Sequence, residues 1–135
     1  AFVDAHRDEV DPTVGAIIGA AGTVTATRLL HDRERLEELT AVGLGALAGF
    51  DALLLPTTTE HPTLAEVAAE PVAVNSRLGT YTNFCNLMDL CAVAVPSGTV
   101  RDDDGEELEF GVSVVARTGA DAVALDLARL VQQPT

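Results

Sequence analysis

Between Asn75 and Pro96 the chain reads Asn-Ser-Arg-Leu-Gly-Thr-Tyr-Thr-Asn-Phe-Cys-Asn-Leu-Met-Asp-Leu-Cys-Ala-Val-Ala-Val-Pro. A small and polar entry (Gly79 to Asn83) runs into an apolar row at helical spacing (Leu78, Phe84, Leu87, Met88, Cys91) and then into a continuous apolar run, Ala92 to Val95. So much apolar surface in so short a stretch has to be covered by a larger core, because the period changes from helix to buried strand with no polar face between. The rest of the chain is read as support for this block.

Going back to the start, Phe2 to Glu9 has a helical pattern that opens without a capping residue, so it looks like the second half of a helix begun earlier. Asp11 is placed to cap a short helix from Pro12 to Ala21, with the proline where its missing N–H costs nothing. Thr23 or Thr25 is placed to cap a long helix to about Ala48, with Leu29, Leu36, Leu39, Val42, Leu44 and Leu47 on one face and the charged run Asp32 to Glu38 solvated on the other. Gly49 ends it.

Phe50 to Pro56 does not alternate, which predicts a strand buried on both faces, followed by a loop, Thr57 to Pro62, at its carboxyl end. Thr63-Leu-Ala-Glu66 has capping-box form and predicts a short helix to about Ala69, stopped by Pro71 and followed by an extended piece. A helix from Tyr81 to Leu90, a strand from Ala92 to Val95, a turn at Pro96-Ser97-Gly98, a strand from Phe110 to Ala116 and a closing helix from Ala120 to Val131 complete the chain. The fold class is therefore α/β, a mixed sheet flanked by helices.

Composition matters mainly for what it removes. The formal charge of -13 leaves no basic surface to displace counterions from phosphates, so nucleic acid is not an expected partner. No stretch nears a membrane span of roughly 20 apolar residues, and the first residues lack the form of a signal peptide. All 8 basic residues are arginine, so a lysine base or Schiff base has no source in the sequence. Cys85 and Cys91 lie in an apolar run and read as reduced core thiols of a cytoplasmic protein.

No complete reaction centre is visible. Ser76, Ser97 and Ser113 are outside any Gly-x-Ser-x-Gly elbow, and His6, His31 and His61 are widely separated. Asp102 to Glu107 lacks the ligand spacing of a calcium loop and reads as a hairpin tip. No metal or cofactor is expected. The candidate site is geometric, the loop Thr57 to Pro62 together with the polar entry Asn75 to Asn83, where hydroxyls and amides converge near strand ends. For Thr80, Tyr81, Thr82 and Asn83 the alternative is helix capping and internal hydrogen bonding.

The sequences Phe50-Asp-Ala-Leu-Leu-Leu-Pro-Thr57, Asn75-Ser-Arg-Leu-Gly-Thr-Tyr-Thr-Asn-Phe84, Asn86-Leu, Asp89-Leu, Ala94-Val-Pro96 and Gly111-Val-Ser-Val together resemble the C-terminal part of the amidase-signature family. Asp89-Leu90-Cys91 is similar to the allophanate-hydrolase branch, where many amidases have a Gly-x-Pro. The resemblance implies a hydrolase of carbon–nitrogen bonds in urea degradation, with a small-molecule amide substrate. It also implies a serine nucleophile activated by a second serine and a lysine within a glycine- and serine-rich segment, none of which is in this sequence. The catalytic set assigned to this chain is therefore empty.

Residues 1–131 are expected to be the C-terminal segment of an amidase domain, with 132–135 beginning a linker or tail. The branch's substrate-holding tyrosine and arginine are implied to precede Ala1, so Arg7 and Arg77 are not given that role. Asn75, Thr80, Tyr81 and Asn83 are the expected substrate-binding wall. The chain is expected to be inactive alone, and to self-associate or pair with the rest of the domain. The alternative is a non-catalytic remnant or interaction module.

Overall fold

The structure is a computed structural model and describes residues 2–102 and 104–132. The chain divides into two compact units, one up to Glu38 and one from Leu39 onward.

In the first unit the opening segment is a short helix α1 (Phe2–Ala5) followed by a 3-10 turn (Arg7–Glu9), in place of one continuous helix. At the break the His6 Nδ1 lies 2.8 Å from the Phe2 carbonyl and the ring stacks on Phe2. Helix α2 (Pro12–Ala20) begins as its sequence requires. One Asp11 carboxylate oxygen accepts from the backbone N–H groups of Thr13 (2.9 Å) and Val14 (3.1 Å). Helix α3 (Ala26–Ala46) starts at Thr25, whose hydroxyl oxygen accepts from the Arg28 N–H at 3.2 Å. Its charged face is exposed and carries local ion pairs, Arg28 with Asp32 and Arg35 with Glu38. Val14, Ile17, Ile18, Leu29 and Leu30 are also exposed.

The second unit is built on three strands, β1 (Leu53–Pro56), β2 (Cys91–Arg101) and β3 (Glu107–Ala116), in the order β1-β3-β2. The helix-and-sheet class is as expected, and among the described residues both strand pairings are antiparallel, with Leu54 opposite Val114 and Val93 opposite the same residue. Strand β3 is central and carries the core, with Val112 to Ala116 buried. Strand β1 corrects the sequence reading. It is an edge strand, not one buried on both faces, and Leu54 is 53% exposed.

Pro96-Ser97-Gly98 does not end β2 in a turn. The strand continues through an irregularity between Pro96 and Thr99, which suits a proline because an edge strand tolerates a missing donor at a bulge. The acidic tract is the hairpin tip, as predicted. Asp102 accepts from the N–H groups of Asp104 (3.1 Å) and Glu106 (2.8 Å), and Gly105 turns the chain at φ +82. Asp103 of that tract lies outside the described residues, as do 133–135 of the expected linker.

Helix α4 (Leu64–Ala69) carries the full capping box: the Thr63 hydroxyl accepts from the Glu66 N–H (3.2 Å) and the Glu66 carboxylate accepts from the Thr63 N–H (2.7 Å). Replacing Thr63 with alanine is expected to cost about 1 kcal/mol in urea unfolding. The Glu66 carboxyl is held below its usual range chiefly by the Thr63 N–H and then by the Thr63 hydroxyl. A carboxylate depressed in the folded state stabilises above its unfolded pKa and loses that contribution as pH falls through its folded one. The stability gap between the chain and Glu66→Gln should therefore be widest at neutral pH and close on acidification through the carboxylate range.

Pro71 does not lead into an extended piece. It occupies the first position of helix α5 (Pro71–Leu78), the place where proline is tolerated. A 3-10 turn (Gly79–Tyr81) links α5 to helix α6 (Asn83–Leu87), which stops short of Leu90 because Asp89 takes a left-handed conformation, φ +53. The Leu90 N–H then returns to the Cys85 carbonyl at 2.9 Å, a helix end that a short polar side chain at Asp89 permits. Helix α7 (Asp121–Val131) lies on the sheet through Ala124 and Ala128, both buried against Val114 and Ala116.

Candidate functional site

The loop after β1 is held to the central strand at both ends. The Thr57 N–H donates to the Gly111 carbonyl (2.9 Å), the Thr57 and Ser113 hydroxyls share a hydrogen bond (2.9 Å), and the His61 Nε2 lies 2.8 Å from the Glu109 carbonyl. Ser113 is buried in an otherwise apolar strand, so its hydroxyl needs an internal partner and Thr57 supplies it. Gly111 lets the loop approach, since a Cβ there would lie 3.3 Å from the Thr57 hydroxyl oxygen.

The middle of the loop is tied to the C-terminal end of α5. The Thr59 hydroxyl donates to the Arg77 carbonyl (2.9 Å), the Thr80 hydroxyl donates to the same oxygen (2.7 Å), and the Arg77 Nε donates to the Glu60 carboxylate (2.9 Å). Carbonyls in the last turn of a helix lack the usual helical N–H partner, so the Arg77 oxygen, which the Gly79 N–H also approaches, is open to these hydroxyls.

Between loop and helices opens a concavity of about 510 Å³ lined by Thr57, Thr58, Asn75, Leu78, Gly79, Thr82 and Asn83. Two of the four expected wall residues, Asn75 and Asn83, are brought together here. Thr80 and Tyr81 are not: Thr80 caps α5 through Arg77, and Tyr81 is absent from the lining. Asn83 sits against Gly79 so closely that a Cβ on residue 79 would fall 2.6 Å from its Nδ2 and 2.7 Å from its Cγ. Gly79 has φ −78, which any residue adopts, so what a side chain here would disturb is the Asn83 carboxamide and not the backbone.

The rim thus presents carboxamides and hydroxyls, groups that donate and accept without charge, suited to a small planar polar ligand. Among the described residues no group of three or more His, Cys, Asp or Glu is placed to hold a metal ion. Cys85 is buried, and burial pushes its thiol above the ordinary range, so it is a core side chain and not a nucleophile. The bracket through Thr59, Glu60 and Arg77 was not visible in the sequence. The Thr57–Ser113 bond was not foreseen either, although a serine inside a buried strand is the signal that could have found it.

No family model matches the chain. A solved amidase shares the fold, with a TM-score of 0.65 over 93% of this chain and 29% of that one at 22% identity. The architecture is that of part of an amidase.

More particularly, the chain is homologous to a segment of urea amidolyase and of allophanate hydrolase. It is 38% identical over 129 residues to the urea amidolyase of Saccharomyces cerevisiae, covering 94% of this chain and 7% of the relative. A solved variant of Kluyveromyces lactis allophanate hydrolase is 40% identical with a TM-score of 0.78, over 89% of this chain and 19% of that one. The chain therefore spans less than a tenth of the length of the curated relative it matches. The resemblance read from the Asn75 to Pro96 block, to the allophanate-hydrolase form of the amidase fold, holds.

Proposed function

We propose that this chain supplies one wall of the substrate pocket of an allophanate-cleaving amide hydrolase, with residues 1–131 acting as the C-terminal segment of its amidase domain and 132–135 beginning a linker. The observation that carries the reading is the 40% identity to allophanate hydrolase with a TM-score of 0.78 across nearly the whole chain. In this role Asn75 and Asn83 face the small amide substrate, while Thr80 and Tyr81 support the turn between α5 and α6. The serine nucleophile, its partner serine and the lysine come from elsewhere in the enzyme, since this chain has no lysine to offer. A cytoplasmic setting fits Cys85 and Cys91, both free thiols.

Allophanate should release no ammonia with this chain alone and should release it with the complete gene product. Turnover by the isolated chain, or none by the complete product, would overturn the reading; the second result would favour a non-catalytic module.

Pairing with the rest of the domain is supported by what the second unit leaves open. Among the described residues strand β1 is paired on one side only, and beside it Ala52, Leu53, Leu54, Val114, Leu127, Leu130 and Val131 line an apolar hollow of about 180 Å³. Unpaired strand edges and contiguous apolar surface both drive association. The isolated chain is expected to self-associate in sedimentation velocity runs, and a concentration-independent monomer would count against this. Among the described residues no single helix is long and apolar enough to cross a membrane.

A further inference from the structure

The concavity has two walls that come from distant parts of the sequence. Thr57 and Thr58 belong to the loop, while Asn75, Leu78, Gly79, Thr82 and Asn83 belong to the α5–α6 region. Loop and helix are joined by the Thr59 hydroxyl on the Arg77 carbonyl and by the Arg77–Glu60 ion pair, contacts between residues 18 and 17 apart in sequence. None of Thr59, Glu60 or Arg77 lines the concavity.

We propose that Thr59 is a positioning residue: its hydroxyl, seated on the Arg77 carbonyl, fixes the loop wall against the helix wall and so sets the width of the opening between Thr58 and the two asparagines. This rests on the function proposed above. Both contacts lie at exposed residues; the Arg77–Glu60 pair, its side chains 50% and 36% exposed, is the weaker member because exposed ion pairs hold little. The Thr59 bond ends on a backbone oxygen that cannot swing away, whereas both partners of the ion pair are flexible. The loop has independent anchors at Thr57 and His61, so loss of the Thr59 bond moves its middle without releasing its ends.

The test compares Thr59→Val, Thr59→Ser and Glu60→Gln in the complete gene product. With allophanate, T59V is expected to raise KM about tenfold, the scale on which a displaced contact wall weakens binding, with kcat little changed. T59S keeps the hydroxyl and should restore KM, E60Q should give the smaller rise, and the thermal midpoint should stay within about 2 °C of the unaltered protein, as for a surface substitution. An unchanged KM in T59V would overturn the proposal. Equal losses in T59V and T59S accompanied by a lower midpoint would also overturn it, by showing only a folding role.

Hydrogen exchange on the same proteins separates this from the function itself. If the unaltered product does not cleave allophanate, the functional reading fails, and the bracket is then decided by whether amides of residues 58–60 exchange faster in T59V. Equal exchange would sink it.

Discussion

Gly79→Ala is expected to lower kcat/KM for allophanate about 100-fold in the complete gene product, the scale on which misplacing a contact by about 1 Å is felt. The effect is not one of backbone freedom. At φ −78 an alanine is allowed, and removing glycine from such a position ordinarily stabilises by about 0.4–1 kcal/mol through the unfolded state. What the methyl group meets is the carboxamide of Asn83, which has to leave the place it occupies at the rim.

Stability and activity should therefore part company, with the thermal midpoint of Gly79→Ala close to that of the parent while turnover falls. The double variant Gly79→Ala, Asn83→Ala sharpens the test. If the methyl acts by evicting Asn83, the second change adds little to the first, because both remove the same contact. Full activity in Gly79→Ala would remove Asn83 from the pocket wall.

The second large effect concerns the seat of α7. Ala124 is 0% exposed and packs with Ala128 against Val114 and Ala116, so the helix touches the sheet through small side chains at close range. Ala124→Leu is expected to destabilise the chain by about 1–3 kcal/mol, because a filled interface accepts extra methylenes only by moving backbone. Leu130→Ala, at a position 79% exposed in the chain by itself, should change stability by less than about 0.5 kcal/mol. Urea unfolding of the two variants checks the contrast, and the reverse order would show that the helix packs through another face.

That contrast also marks how far the sequence could be read. Periodicity found α7 through its large residues, Val123, Leu125, Leu127, Leu130 and Val131, and Leu127 and Val131 do pack against the core. Val123, Leu125 and Leu130 are exposed in the chain, and the fully buried contact is made by alanines that carry no strong signal. Local chemistry was more legible. Asp11 with Pro12, and Thr63 with Glu66, announce helix starts because their partners are three residues away or fewer, and both caps formed.

Proline was ambiguous for the opposite reason. Pro71 opens a helix and Pro96 sits inside an edge strand, and which role a proline takes depends on whether its missing donor faces a partner, which only the tertiary fold decides. The left-handed turn at Asp89 was likewise invisible, since aspartate adopts it only where the surroundings require it. At the site, the loop and the Asn75 to Asn83 stretch were paired on their polar side chains near strand ends, although Asn75 lies inside α5 and only Asn83 stands at the start of a helix. The Arg77 carbonyl did not, because every residue has a backbone acceptor and the letters cannot say which one a distant threonine will find.

The interrupted margin of β2 has a consequence for how such a sheet can grow. Pro96 offers no donor there, and the register shift before Thr99 bends the strand, so this side is a poor template for another strand. Along β1 the proline stands only at the end, Pro56, and Leu53 to Leu55 form no such obstacle. Two copies joined β1 to β1 would each present a β2 margin outward, which disfavours growth beyond a pair.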